Sequence, residues 1–472
     1  MESFYVVLAL VAYIVIGCLL SQYARRSMGH GFVDYFLANR ALGGIISALT
    51  YAATTYSAFM MVGLVGFTYA FGVGTVGFEL VYLVGALMIL VLLGPRMWEV
   101  GRKRGYVTPA ELLSDVYGNN LIGALFTVVC LAVLVPYMSV QMMGVGYLVE
   151  GMSGGEVPFE VGALIAASVA IAWSLWAGLR SVAWTDALQA LIMIVTSLIL
   201  LFFVFYVWFG DFTRFTEMLA SEHPELLRVP GSGWPFEKFL GLTLPWFFFA
   251  LTNPQVSQRM FVPRGRSEFK SMVLGHAVFG LIYTVIVTLI GLAVRLIVPG
   301  LMKPDQAMPS LLALVPVPLA LLVFVGIVSA AITTVDSILL TLSSMTARDL
   351  YGKTFKKRRE ELELLVGKMT IVIVACASFI FSLFRPGLIV ELSVASSACL
   401  VSAAPALIDA LTIKRGNSLS AGLSIAIGSG TAICLHLLGM RPLGQWPGVW
   451  GLIVSTVLFV GLSSVKSRRL LR

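Results

Sequence analysis

Unbroken apolar runs of about twenty residues recur along the whole chain, and nothing else restricts its fold so strongly. A run of that length crosses the ~30 Å hydrocarbon core of a bilayer as an α-helix. Hydrocarbon offers the backbone no hydrogen-bond partners, so only helices or a closed barrel are viable there. The runs are continuous rather than alternating, which excludes barrel strands. Of the 472 residues, 58% are hydrophobic and only 12% are charged, against about 25% charged in a soluble domain. The sequence therefore predicts one all-α integral membrane domain over residues 1–472, a multi-pass protein of the cell membrane whose main partner is the lipid bilayer.

Thirteen runs can be delimited: 4–22, 43–71, 74–94, 120–149, 159–176, 183–209, 237–257, 273–298, 310–345, 368–384, 388–412, 419–438 and 447–464. An odd number puts the termini on opposite sides. With the C-terminus inside, 25 of the 32 Lys and Arg fall in inner segments, which predicts an external N-terminus and a cytoplasmic C-terminus. The first run has no basic residue before it and no small-x-small cleavage site, so it reads as a retained span. The basic cluster Lys353 to Arg359 suits anionic lipid, although the positive-inside signal alone accounts for it.

Several functions are excluded. The net charge of +8 comes from short loops and forms no basic domain, so no nucleic acid partner is expected. Cys18, Cys130, Cys376, Cys399 and Cys434 lie in apolar runs without metal or redox spacing and read as small fillers. The one long outer segment, 210–236, is a Pro- and Gly-rich loop with room for a short helix. No soluble domain and no GxxxxGK[ST] phosphate loop is present, which argues against an ATP-driven pump, a receptor or an enzyme. No obligatory protein partner is evident.

Ionisable residues within spans are costly enough to suggest function. Glu79 lies near the outer end of the third span, Asp186 near the inner end of the sixth, Asp336 in the inner half of the ninth, and Glu391 at the interfacial start of the eleventh. Asp186 also suits a loop-anchoring role. The ninth span reads SAAITTVDSILLTLSS, placing Ala330, Thr333, Thr334, Asp336 and Ser337 within about two turns. A single hydroxyl in such a helix usually bonds back to its own backbone. A cluster of hydroxyls, a carboxylate and free carbonyls supplies the hard oxygen ligands an alkali cation needs. The second span offers small and hydroxyl residues from Ala53 to Ser57 at mid-membrane depth, where unwinding would free carbonyls, as in the discontinuous helices of secondary transporters. Pro245 and Pro254 each remove a helix hydrogen bond from the seventh span.

These segments together resemble the sodium/solute symporter family, which carries proline, pantothenate, sugars, sialic acid and monocarboxylates. The resemblance rests on DYFLANRALGG before ALTYAATTYSAF, on GLRSVAWTDALQ, on NPQVSQRMF, and on SAAITTVDSILLTLSSMTARDLY, in that order. It implies a leucine-transporter-like core of two inverted five-helix repeats, 43–209 and 237–412, with an extra N-terminal span at 4–22 and two C-terminal spans within 419–464. It also implies a sodium ion held by the carbonyls of Ala53, Tyr56 and Ala330 and the hydroxyls of Thr333 and Thr334. A second cation site, present in some members, falls on Asp186, Thr333, Asp336 and Ser337. Asp336 stands where hydroxyls are more usual, so it either tightens a sodium site or carries a proton. Arg40 and Ser57 match residues important for transport in the proline branch, and Arg40 and Pro254 are candidates for coupling or gating.

The pocket expected from the resemblance comprises Thr55, Ser57, Met60, Glu79, Tyr137, Gln141, Trp246 and Phe249, with Trp246 and Phe249 also suited to plain packing. Its few polar points disfavour sugars. Sodium and the broken second helix suit a carboxylate, so a small solute such as proline, pantothenate or a short monocarboxylate is expected. A proton-coupled carrier using Asp186 and Asp336, and a non-transporting membrane sensor, remain as alternatives to sodium symport.

Overall fold

Helices make up nearly all of the ordered backbone in the computed structural model, which describes residues 3–26, 29–229, 233–354, 359–385, 387 and 389–465. Most of the basic cluster between Lys353 and Arg359, and the C-terminal tail, lie outside the described residues. Eleven helices are long and apolar enough to span a membrane, and a twelfth span is the pair Gly44–Thr55 and Phe59–Phe71, bent by 51°. Among the described residues, twelve of the thirteen expected runs thus meet that measure, the second as a bent pair, and the seventh does not.

The shortfall has a local cause in the seventh run. It forms three pieces, Phe236–Phe247, Phe249–Thr252 and Pro254–Ser257, none long enough to cross alone. Pro254 disfavours helical geometry in the residue before it, and Asn253 is extended at φ −86°, ψ 110°. Pro245, also expected to break the span, is accommodated inside the first piece.

The fifth and sixth runs differ from expectation in the opposite sense. No loop separates them at 177–182; one helical path runs over Phe159–Val204. The two expected spans still part at this point, as Phe159–Trp176 and Gly178–Phe209; Gly178 has φ +57°, and a Cβ there would stand 2.3 Å from the carbonyl oxygen of Tyr35. Only glycine meets both demands.

In the segment 210–236 Asp211 caps the helix Phe212–Glu222, accepting a hydrogen bond from the Arg214 amide at 2.7 Å. The perimeter is strongly apolar: Phe202 is 70% exposed and Leu19 67%, as expected where the solvent is lipid. Polar residues collect inside instead. The ninth span, Val317–Met345, is buried from Gly326 through Met345 and packs chiefly on the fifth and sixth spans. Its hydroxyls and carboxylate therefore face protein.

Candidate functional site

The second span supplies the first half of the site by breaking. Its helix ends at Thr55, and Tyr56 adopts φ −96°, ψ 109° before the chain turns helical again. Against this break lies the ninth span. The Thr333 hydroxyl is 2.9 Å from the Ala53 carbonyl oxygen and 3.1 Å from that of Ala330, and the Thr334 hydroxyl is 3.3 Å from the same Ala330 oxygen. All are fully buried. Four of the five residues expected at the sodium site are thus joined in one set of contacts, with Tyr56 at the break itself. Each hydroxyl oxygen is an acceptor as well as a donor, so the group can turn neutral oxygens toward a cation.

One turn further along the ninth span, the arrangement carries charge. Asp186 Oδ2 accepts a hydrogen bond from the Thr50 hydroxyl at 2.6 Å and pairs with Arg259 Nη2 at 3.4 Å. The same nitrogen donates to the Ser337 hydroxyl oxygen at 2.6 Å, and Arg259 Nε donates to that of Thr54 at 3.1 Å. Thr54 and Ser337 oxygens lie 2.8 Å apart. Asp336 turns aside: its Oδ1 accepts from the Ser174 hydroxyl at 3.2 Å. Asp186 is therefore tied to spans rather than to a loop.

Arg259 was not singled out from sequence, where it reads as one more inner positive charge. A usable signal was its position five residues after Pro254 and directly before the apolar MFV, which pulls it into the bundle. It is 4% exposed. Its neighbour Gln258 closes the same end of the bundle, donating to the Val107 carbonyl at 2.8 Å and to the Ser344 hydroxyl at 2.9 Å, and accepting from Thr341 at 2.6 Å.

The candidate pocket residues lie around the other face of the break. Gln141 Oε1 accepts from the Ala58 amide at 3.2 Å, while Thr55 bonds back to the Tyr51 carbonyl at 2.7 Å. Ser57 Oγ accepts from the Phe59 amide, and Met60 is buried beside it. Trp246 stacks on Phe249 with centroids 4.8 Å apart and on Phe59 at 5.1 Å; Tyr82 meets Trp246 and Phe249 edge-on, and Phe78 meets Trp246 edge-on. Phe59, Phe78 and Tyr82 were missed, because an aromatic in an apolar run gives no sign of which face it occupies.

Buried polar groups are normally hydrogen-bonded. Here Glu79 Oε2, Tyr82 Oη, Tyr137 Oη, Gln141 Nε2 and Trp246 Nε1 have no partner among the described residues. Glu79 and Tyr82 share one helix face, as do Tyr137 and Gln141. Arg40 lies elsewhere, donating to the carbonyl of Gly101, in the last turn of the helix Gly94–Arg104, at 2.6 Å and to that of Tyr106 beyond it at 2.9 Å. Pro254 sits buried at the second break of the seventh span.

Residues 35–428 match the family model described as the sodium:solute symporter family. The chain is 27% identical over 467 residues to the sodium/pantothenate symporter of Escherichia coli (strain K12), covering 96% of this chain and 95% of that one. It is 23% identical over 490 residues to the osmoregulated proline transporter OpuE of Bacillus subtilis (strain 168), covering 99% and 96%. Among solved structures, a Na+-coupled sialic acid symporter in a substrate-bound outward-open state superposes with a TM-score of 0.83 at 17% identity, over 98% of each chain.

Proposed function

The chain belongs to the sodium:solute symporter family, and from that premise we propose that it couples inward sodium flow to uptake of a small, carboxylate-bearing organic solute. It is a membrane transporter and not an enzyme. The supporting observation is the convergence of Thr333 and Thr334 on the carbonyls of Ala53 and Ala330 at the break in the second span. Sodium, with Tyr56 completing the ligand set, would bridge the second and ninth spans through neutral oxygens. Such ligands hold a cation without the full attraction of a carboxylate, and a transported ion has to leave again.

The solute would sit on the other face of the break. Gln141 Nε2, Tyr137 Oη and Trp246 Nε1 are donors without protein partners, a set suited to a carboxylate, and Glu79 suits an ammonium or hydroxyl on the same solute. Thr55, Ser57 and Met60 would line the broken helix, and Trp246 and Phe249 would cover the apolar part. The relatives named for pantothenate and proline point the same way. We place the N-terminus outside and the C-terminus in the cytoplasm, with five-plus-five repeats that alternate access by rocking about the two broken spans. Arg40 and Pro254 would serve the moving inner end.

Coupling requires sodium and solute to raise each other's affinity by the same factor. The test is thermal stabilisation of the purified protein by proline, pantothenate, short monocarboxylates and sugars, in sodium and in potassium. A carboxylate that stabilises only with sodium supports the proposal. Stabilisation that ignores sodium and follows pH would instead favour a proton-coupled carrier.

A further inference from the structure

We propose that the guanidinium of Arg259 is the built-in cation of the second cation site, so that the protein binds a single sodium ion, at Thr333 and Thr334. The inference rests on the sodium-symport reading but concerns a different set of residues. A second sodium would need Asp186, Thr333, Asp336 and Ser337 to present their oxygens to one point. They do not converge. Asp186 Oδ2 and the Ser337 hydroxyl oxygen are engaged by Arg259 at 3.4 and 2.6 Å, the Thr333 hydroxyl faces Ala53, and Asp336 Oδ1 turns to Ser174, which leaves Asp186 Oδ1 and Asp336 Oδ2 without a hydrogen-bond partner among the described residues.

The chemistry of the exchange is simple. A buried carboxylate demands a counter-charge, and a cation from solution or one fixed to the chain can each supply it. The fixed guanidinium carries planar, directional donors that match hydroxyl and carboxylate acceptors, and here it meets three of them. It also lies just past the last piece of the broken seventh span, in the short helix Gln258–Phe261, whereas Thr54, Asp186 and Ser337 belong to the second, sixth and ninth. Any movement of that short helix relative to the sixth span must withdraw the charge from Asp186, and relative to the ninth from Ser337. Arg259 is thus a positioning residue that sets ion stoichiometry and links it to opening of this end of the bundle.

The experiment is saturation binding of radioactive sodium to the purified full-length protein, in excess potassium, counted as ions per chain. Wild type should saturate at one ion and Arg259→Met at two, while Arg259→Lys, which keeps a charge in place, should stay at one. Asp336→Asn and Ser337→Ala in the otherwise native chain should also stay at one. Those two variants decide the matter if Arg259→Met does not fold. Saturation of wild type at two ions, loss of an ion in Asp336→Asn or Ser337→Ala, or no gain in a folded Arg259→Met would each overturn the proposal. Wild type binding no sodium would sink the symport reading instead, and a gain of one ion in Arg259→Met would still uphold the role of Arg259.

Discussion

The Thr333 hydroxyl stands 2.9 Å from the carbonyl oxygen of Ala53, across 280 residues of sequence. It joins the deeply buried ninth span to the point where the second span loses its helix. A backbone carbonyl at a helix end has no partner four residues on, so the break makes an acceptor and the hydroxyl locates it. Thr334, one residue further, is the residue through which this contact can be tested with least damage, because its bond runs only to its own helix at Ala330.

Thr334→Ala should leave folding nearly intact and raise the sodium concentration for half-maximal thermal stabilisation about five- to tenfold, the equivalent of about 1 kcal/mol for one lost neutral ligand. Sodium titration of melting temperature measures it. An unchanged midpoint would remove Thr334 from the site.

Asp34 and Arg180 form an ion pair at 2.9 Å, the Asp34 side chain wholly inaccessible and that of Arg180 18% exposed. Removing Asp34 strands a guanidinium that keeps some access to solvent, at a cost below the about 3 to 5 kcal/mol of a fully buried pair. Asp34→Ala should therefore lower the melting temperature in detergent markedly, whereas Lys103→Ala, whose partner Glu99 is well exposed, should scarcely change it.

Gly178→Ala meets both a left-handed backbone and the Tyr35 carbonyl oxygen at 2.3 Å. The change should cost more than about 1 kcal/mol, read as a lower melting temperature and a smaller folded fraction on size exclusion. Gly430→Ala, where a Cβ would have open space, serves as the control.

Asp305, in the turn between the eighth and ninth spans, has its carboxyl raised from 3.8 to about 6, chiefly by burial and against a hydrogen bond from the Ile389 amide. The folded state thus holds its proton more tightly than the unfolded state does. Stability from this group is present below about pH 4 and is lost as pH rises toward 6. Melting temperature in that window should fall less steeply with rising pH in Asp305→Asn than in wild type; identical slopes would refute the assignment.

Much of this was legible before any fold was known. The hydroxyl cluster of the ninth span and the small residues of the second were visible because polar groups stand out in apolar runs. The breaks were only partly legible: Pro254 does end a helix at Asn253, but the helix Phe236–Phe247 runs through Pro245 and ends two residues later, at Phe247. The aromatic neighbours of Trp246 could not be chosen from among many Phe and Tyr. Arg259 was counted as a loop charge, because charge on its own carries no depth.

What the sequence determined by itself is the solvent and the class: runs of about twenty apolar residues permit only membrane helices, and their polar interruptions mark where an ion and a solute could be handled. What only the tertiary structure decided is which of those interruptions meet. Thr333 reaches Ala53, and Arg259 reaches Asp186 and Ser337, through contacts between spans far apart in the chain. The physical reason is that local sequence fixes helices by backbone hydrogen bonding within a few residues, whereas a cation site or a buried ion pair exists only once separate helices pack face to face.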